Sequence, residues 1–207
     1  MAFKIKLPFE WDKCFVADHS TDCMPACIAM TARFWKTIRP DLPFSEDLDS
    51  WKKFILEQSS MTSRGSSITR LVDNLRKIND DTSRDLTLNI VPLTLVNIES
   101  AEEFLKHSPP IPLIVVFDRS YTITNVEGGY HASLLYGIDY EKQKKVYLID
   151  PSSVDLMEPF PWDLERFSVG WEKFHNLCFA IYPSDMKPIH TIAGERSKSL
   201  FSFEEDE

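Results

Sequence analysis

The feature that most constrains this chain is a change of hydrophobic period at Asp80-Asp81. Before it the apolar residues recur at helical spacing, and after it they alternate or run continuously, as strands do. The first part holds three helical patterns. One follows a loop at 13–22 and covers about residues 23–37, with Ala26, Ile28, Ala29, Met30 and Phe34 apolar and Arg39-Pro40 as its stop. A second begins after Ser45, takes the acidic residues of Ser45-Glu46-Asp47-Leu48 into its first turn and runs through Trp51, Phe54, Ile55 and Leu56. The third places Ile68, Leu71, Val72, Leu75 and Ile78 on one face.

Past Asp81 the periods shorten. Residues 85–93 alternate as a strand, 100–107 read as a short helix, and 111–117 form a continuous apolar run flanked by prolines, as a strand buried on both faces requires. Gly128-Gly129 marks a turn, and strands are expected at 131–138 and 145–149 around the charged turn from Asp139 to Lys144. A helix at 162–174 and a strand at 177–182 complete the pattern, and residues 3–7 alternate as an edge strand or arm. Helices first and mostly antiparallel strands second predict an α+β fold. With 207 residues, 43% of them hydrophobic, one domain over 1–183 is expected, followed by a loose acidic tail over 184–207 that ends in Phe203-Glu204-Glu205-Asp206-Glu207.

Charge and segment length exclude several classes of partner. A net charge of −9 without a dense Lys/Arg stripe argues against nucleic acid and anionic membrane surfaces. No stretch approaches the roughly 20 apolar residues needed to span a bilayer, and Met-Ala-Phe-Lys-Ile-Lys lacks the apolar core of a signal peptide, so a cytoplasmic protein is expected. In that compartment Cys14, Cys23, Cys27 and Cys178 should be thiols.

One of those thiols sits where a nucleophile can be made. In Asp22-Cys23-Met24-Pro25-Ala26-Cys27-Ile28-Ala29, Asp22 is a candidate N-cap and Pro25 lies in the first turn, so Cys23 falls at a helix N-terminus. The unpaired N–H groups and the helix dipole there favour thiolate over thiol. Of His19, His107, His131, His175 and His190, only His131 has the setting of a partner base, opening a strand on the rim of the sheet after Gly128-Gly129-Tyr130. The next strand delivers Asp150 to a matching rim position before Pro151, and hairpin geometry allows the two side chains to meet. Cys23, His131 and Asp150 would then be nucleophile, proton carrier and orienting acid.

Each residue alone has a plainer reading. A Cys in an apolar helix is most often a small core residue, which is the reading preferred for Cys27, and Asp150-Pro151 is most often a strand-ending turn. His19, Cys23 and Cys27 together lack a second ligand cluster at zinc spacing, so neither metal nor other cofactor is expected.

Taken together, Asp-Cys-x-x-Ala-Cys-x-Ala-Met, the glycine-preceded His-Ala-Ser-Leu-Leu-Tyr-Gly-Ile-Asp and Val-Tyr-Leu-Ile-Asp-Pro resemble family 39 of the papain-like cysteine peptidases, which process bacteriocin leader peptides, and their stand-alone relatives. The resemblance implies a papain-like fold with an N-terminal helical half and a C-terminal antiparallel sheet, a Cys23-His131-Asp150 triad, and a peptide or protein substrate. This chain departs from the family at two places. Met24 stands where the family has Gly, and no Gln precedes Cys23 to donate to an oxyanion hole; the segment there reads Val16-Ala17-Asp18-His19-Ser20-Thr21. His19 and Asp18 are the candidates for that wall. Loss of an oxyanion donor typically costs about 10²–10³ in rate. Three functions therefore follow as expectations: a hydrolase of peptide or isopeptide bonds, a binding module that keeps the fold without efficient catalysis, and a thiol acyltransferase.

Overall fold

In the computed structural model the described residues are 3–4, 22–43, 45, 47–59, 61–62, 65–80, 88–122, 129–151 and 160–186. Three helices come first: α1 (Cys23–Ile38), α2 (Leu48–Gln58) and α3 (Ile68–Asp80). A two-residue strand β1 (Phe3–Lys4) precedes them, and the short hairpin β2 (Met61–Thr62) and β3 (Gly65–Ser66) lies between α2 and α3. The sheet half follows as β4 (Leu88–Thr94), α4 (Ile98–Leu105), β5 (Leu113–Asp118), a 3-10 turn (Arg119–Tyr121), β6 (Tyr130–Asp139), β7 (Lys145–Ile149), β8 (Phe160–Asp163), α5 (Leu164–Glu172) and β9 (Leu177–Pro183). The arrangement is the α+β one that the change of period predicts.

The main sheet runs β4-β9-β5-β6-β7-β8, with β1 pairing with β6 just beyond the stretch that β5 occupies. All these pairings are antiparallel. β4 is an edge strand, which explains how Pro92 can stand inside it: the face it turns away from β9 needs no N–H. β5 lies between β9 and β6 and is fully buried from Leu113 to Phe117, as its unbroken apolar sequence demands.

Against this sheet lies α1, touching β5, β6 and β9 on one side and α2 on the other. Its residues from Cys23 to Ala32, and then Phe34 and Trp35, are buried, so it is the central element of the core and not a surface helix. Side chains such as Ile28, Met30 and Phe34 each contribute about 1.5–3 kcal/mol by leaving water. The indole of Trp35 donates to the Ile181 carbonyl at 2.6 Å and fixes the helix along β9. The thiol of Cys27 donates to the Ala132 carbonyl of β6 at 3.5 Å, a packing role in keeping with the core reading of that residue.

Some boundaries differ from the sequence reading. Trp162 belongs to β8, where it pairs with Val146, and α5 starts only at Leu164 because Asp163 caps it by accepting the Arg166 N–H at 3.0 Å. The hairpin β2–β3 and the strand β8 had no counterpart in the sequence reading. Among the described residues no helix is long and apolar enough to cross a membrane. Residues 5–7 of the expected arm and all but the first residues of the expected tail lie outside the described residues.

Candidate active site

Cys23 is the first residue of α1 and is 6% exposed. Asp22 occupies the N-cap position, but its side chain caps nothing. An N-cap side chain accepts from the N–H of the second or third helical residue; the third is Pro25, which has none, and the Asp22 backbone, at φ −104° and ψ 16°, departs from the extended conformation of a capping residue. Asp22 instead keeps its backbone in the cap role, its carbonyl accepting from Ala26 at 2.9 Å, and sends its carboxylate to Lys52 Nζ of α2 at 2.6 Å. Met24 turns its side chain into the core, 2% exposed.

His131 is the second residue of β6 and is 7% exposed, more buried than a rim position suggests. Its ring meets Phe117, its partner across β5, edge to face at 5.9 Å, and Phe117 in turn rests on Phe167 of α5 at 5.2 Å. This packing limits the imidazole's rotation. Its Nε2 donates to Asp150 Oδ1 at 2.9 Å, which leaves Nδ1 as the ring nitrogen for Cys23, whose thiol acts on the imidazole's charge.

A β-bulge decides that Asp150 can reach His131 at all. β6 and β7 pair Ile138 with Val146 and Gly137 with Tyr147, but then Leu135 with Leu148, so Tyr136 is one extra residue on β6. Beyond the bulge Leu134 faces Ile149, and one step further sets Asp150 opposite Ser133. Ser133 and His131 are two apart and share a face, so Asp150 and His131 are diagonal neighbours on that face. Without the extra residue Asp150 would lie opposite Leu134, on the wrong face.

Electrostatics follow from this packing. Burial alone would lower the imidazole's pKa, but the hydrogen bond to Asp150, the hydrogen bond to Cys23 and the negative charge of both outweigh it and raise His131 to about 9. The charged form of the ring is therefore favoured. Asp150 is itself buried, and its second oxygen, Oδ2, meets Arg119 Nη2 at 3.3 Å. Sequence reasoning passed over Arg119 and Lys52, since a single basic residue in a polar stretch carries no spacing signal.

Cys23, His131 and Asp150 are thus gathered at the place where the N-terminus of α1 meets the ends of β6 and β7. Asp18 and His19, the candidates for an oxyanion wall, lie outside the described residues. Among the described residues, no group of three or more His, Cys, Asp or Glu is placed to hold a metal ion. The arrangement can supply a thiolate–imidazolium pair, an acid to orient it, and the N–H groups of Cys23 and Met24, which a helix start leaves without intrahelical partners.

No protein-family model matches the chain, and no curated protein matches it. A solved structure does: a protein from Bacillus anthracis described as a C39-like peptidase aligns over 88% of this chain and 98% of its own length, with a TM-score of 0.55 and 14% sequence identity. At that identity the similarity establishes the fold, α+β and papain-like, and leaves the chemistry to be argued from the residues.

Proposed function

We propose that this chain is a thiol-dependent hydrolase of peptide or isopeptide bonds. The observation that carries the reading is the buried His131–Asp150 pair, joined at 2.9 Å, together with a cysteine at the first position of α1 whose charge bears on the same imidazole. In the proposed cycle the Cys23 thiolate attacks the substrate carbonyl carbon, and the resulting oxyanion is met by the N–H groups at the start of α1. Collapse breaks the C–N bond while His131 gives its Nδ1 proton to the departing amine. Neutral His131 then takes a proton from water, the hydroxide oxygen bonds to the thioester carbon, and the acid product leaves as the thiolate–imidazolium pair is restored. Asp150 holds the imidazole through Nε2 and favours its charged form throughout.

The absence of a Gln upstream of Cys23 favours a second reading, a peptide-binding module that retains the fold. Incubation with a peptide ester separates the two. An acyl group on Cys23 followed by turnover supports the hydrolase, whereas peptide binding with no acyl-enzyme supports the module. Interception of the acyl-enzyme by an added amine would make the protein an acyltransferase instead.

A further inference from the structure

We propose that Arg119 is a positioning residue of this site, holding Asp150 Oδ2 so that Oδ1 faces His131. The inference rests on the proposed function for its purpose, though not for its test. Asp150 stands immediately after β7, and a carboxylate there is free to rotate unless both oxygens are held. Here they have separate partners, His131 Nε2 on Oδ1 at 2.9 Å and Arg119 Nη2 on Oδ2 at 3.3 Å. The carboxylate side chain is only 2% exposed, so bulk water has little access to either oxygen.

Arg119 is itself held by a built scaffold. It begins the 3-10 turn after β5, whose cap, Asp118, accepts from the Ser120 N–H at 2.9 Å and from the Ser120 hydroxyl at 2.7 Å. The Thr122 N–H and hydroxyl both donate to the Arg119 carbonyl, at 3.0 and 2.9 Å. From the other side α5 presses on this turn at Gly170, where a Cβ would lie 2.7 Å from the Asp118 carbonyl oxygen. The guanidinium pays a penalty in this position, because Arg119 Nε is buried without a hydrogen-bond partner among the described residues. An arginine kept only for solubility would turn Nε to water; this one gives that up and keeps Nη2 on Asp150.

The groups facing His131 define what its titration reports. Cys23 comes from α1, with Asp22 beside it neutralised by Lys52; Asp150 comes from the end of β7; Asp118, at the end of β5, is committed to Ser120; and Phe117 and Phe167 are uncharged. Arg119 can act on His131 in two opposed ways. As a nearby cation it disfavours imidazolium, so its removal would raise the His131 pKa; as the clamp of Asp150 it secures the bond that favours imidazolium, so its removal would lower that pKa.

The test is an NMR titration of the His131 ring in Arg119→Gln and Arg119→Lys, alone and combined with Asp150→Asn, with thermal melting alongside. Positioning predicts that Arg119→Gln lowers the His131 pKa by about one pH unit, making the thiolate–imidazolium pair about tenfold less favoured. Arg119→Lys, which keeps the charge without the planar fork, should lie between, and when Asp150 is already Asn only the effect of the cation is left, so Arg119→Gln should no longer lower the pKa and should raise it if it moves it at all. A raised or an unchanged pKa in Arg119→Gln overturns the proposal, whatever the melting temperature. Should the Gln variant not fold, an unchanged His131 pKa in Arg119→Lys does the same. A protein that forms no acyl-enzyme would overturn the proposed function and leave this titration as decisive as before.

Discussion

Replacing Asp150 by Asn removes one charge and one strong acceptor at almost constant volume. In the native site the His131 pKa rises from the ordinary 6.5 to about 9 against the opposing effect of burial, and Asp150 supplies the leading upward contribution. In the variant, burial and the now unneutralised Arg119 both lower it, and Cys23 alone opposes them. A pKa at or below 6.5 is expected, a fall of about two pH units or more. Because the ratio of thiolate–imidazolium to neutral pair follows the His131 pKa, each unit is tenfold, and the ion pair should become about a hundredfold less favoured. The assay is the rate of Cys23 alkylation by iodoacetamide from pH 5 to 9, followed by peptide mass spectrometry. At pH 6 the variant should react about ten to a hundred times more slowly, and the two profiles should converge at alkaline pH, where the thiol ionises unaided. The same variant should lose about 1–3 kcal/mol of stability, less than the roughly 3–5 kcal/mol of a fully buried broken pair because Arg119 retains 26% exposure. Superimposable alkylation profiles would refute this reasoning.

Other outcomes follow from the same geometry. At pH 6–7 Cys23 should be alkylated well ahead of Cys27, which is fully buried in α1, and Cys178, whose thiol burial pushes far up; equal labelling of all three would contradict the assignment. The His131 pKa is raised on folding, so its contribution to stability is fully present below about pH 6.5 and is lost as pH rises through about 9. Denaturant unfolding should reveal at most about 3 kcal/mol from this source, and His131→Ala should remove the dependence. Gly170→Ala should cost about 1–3 kcal/mol, since its Cβ meets the Asp118 carbonyl at 2.7 Å; a melting temperature equal to the native one would show that the α5 contact is looser than described.

Much of this molecule is legible in its sequence because the strongest signals are periodic. The three N-terminal helices, the buried run of β5 and the β6–β7 hairpin all follow from spacing that leaves one arrangement of apolar side chains. Cys23 at the start of α1 follows from a loop ending in Asp22 and an apolar run after Pro25. That the side chain of Asp22 does not cap α1 was not legible, since it turns on the backbone angles of Asp22 and on Lys52 of α2. Harder to read was the bulge at Tyr136, for which the only local sign is Gly137 inside a strand. The clamp by Arg119 and the neutralisation of Asp22 by Lys52 join residues distant in sequence, and no periodicity reports such pairs. β8 escaped because Trp162 and its neighbours continue into the pattern of α5, and tertiary pairing with β7 decides between strand and helix there.

The most direct test of the proposed chemistry is intact-mass spectrometry of the protein quenched within seconds of mixing with a generic peptide ester. A single acyl adduct that maps to Cys23, decays as free acid accumulates, and is missing from Cys23→Ala and nearly missing from His131→Ala is the predicted result. A thiol that alkylates readily yet never carries an acyl group, or an adduct on any other residue, would contradict the hydrolase.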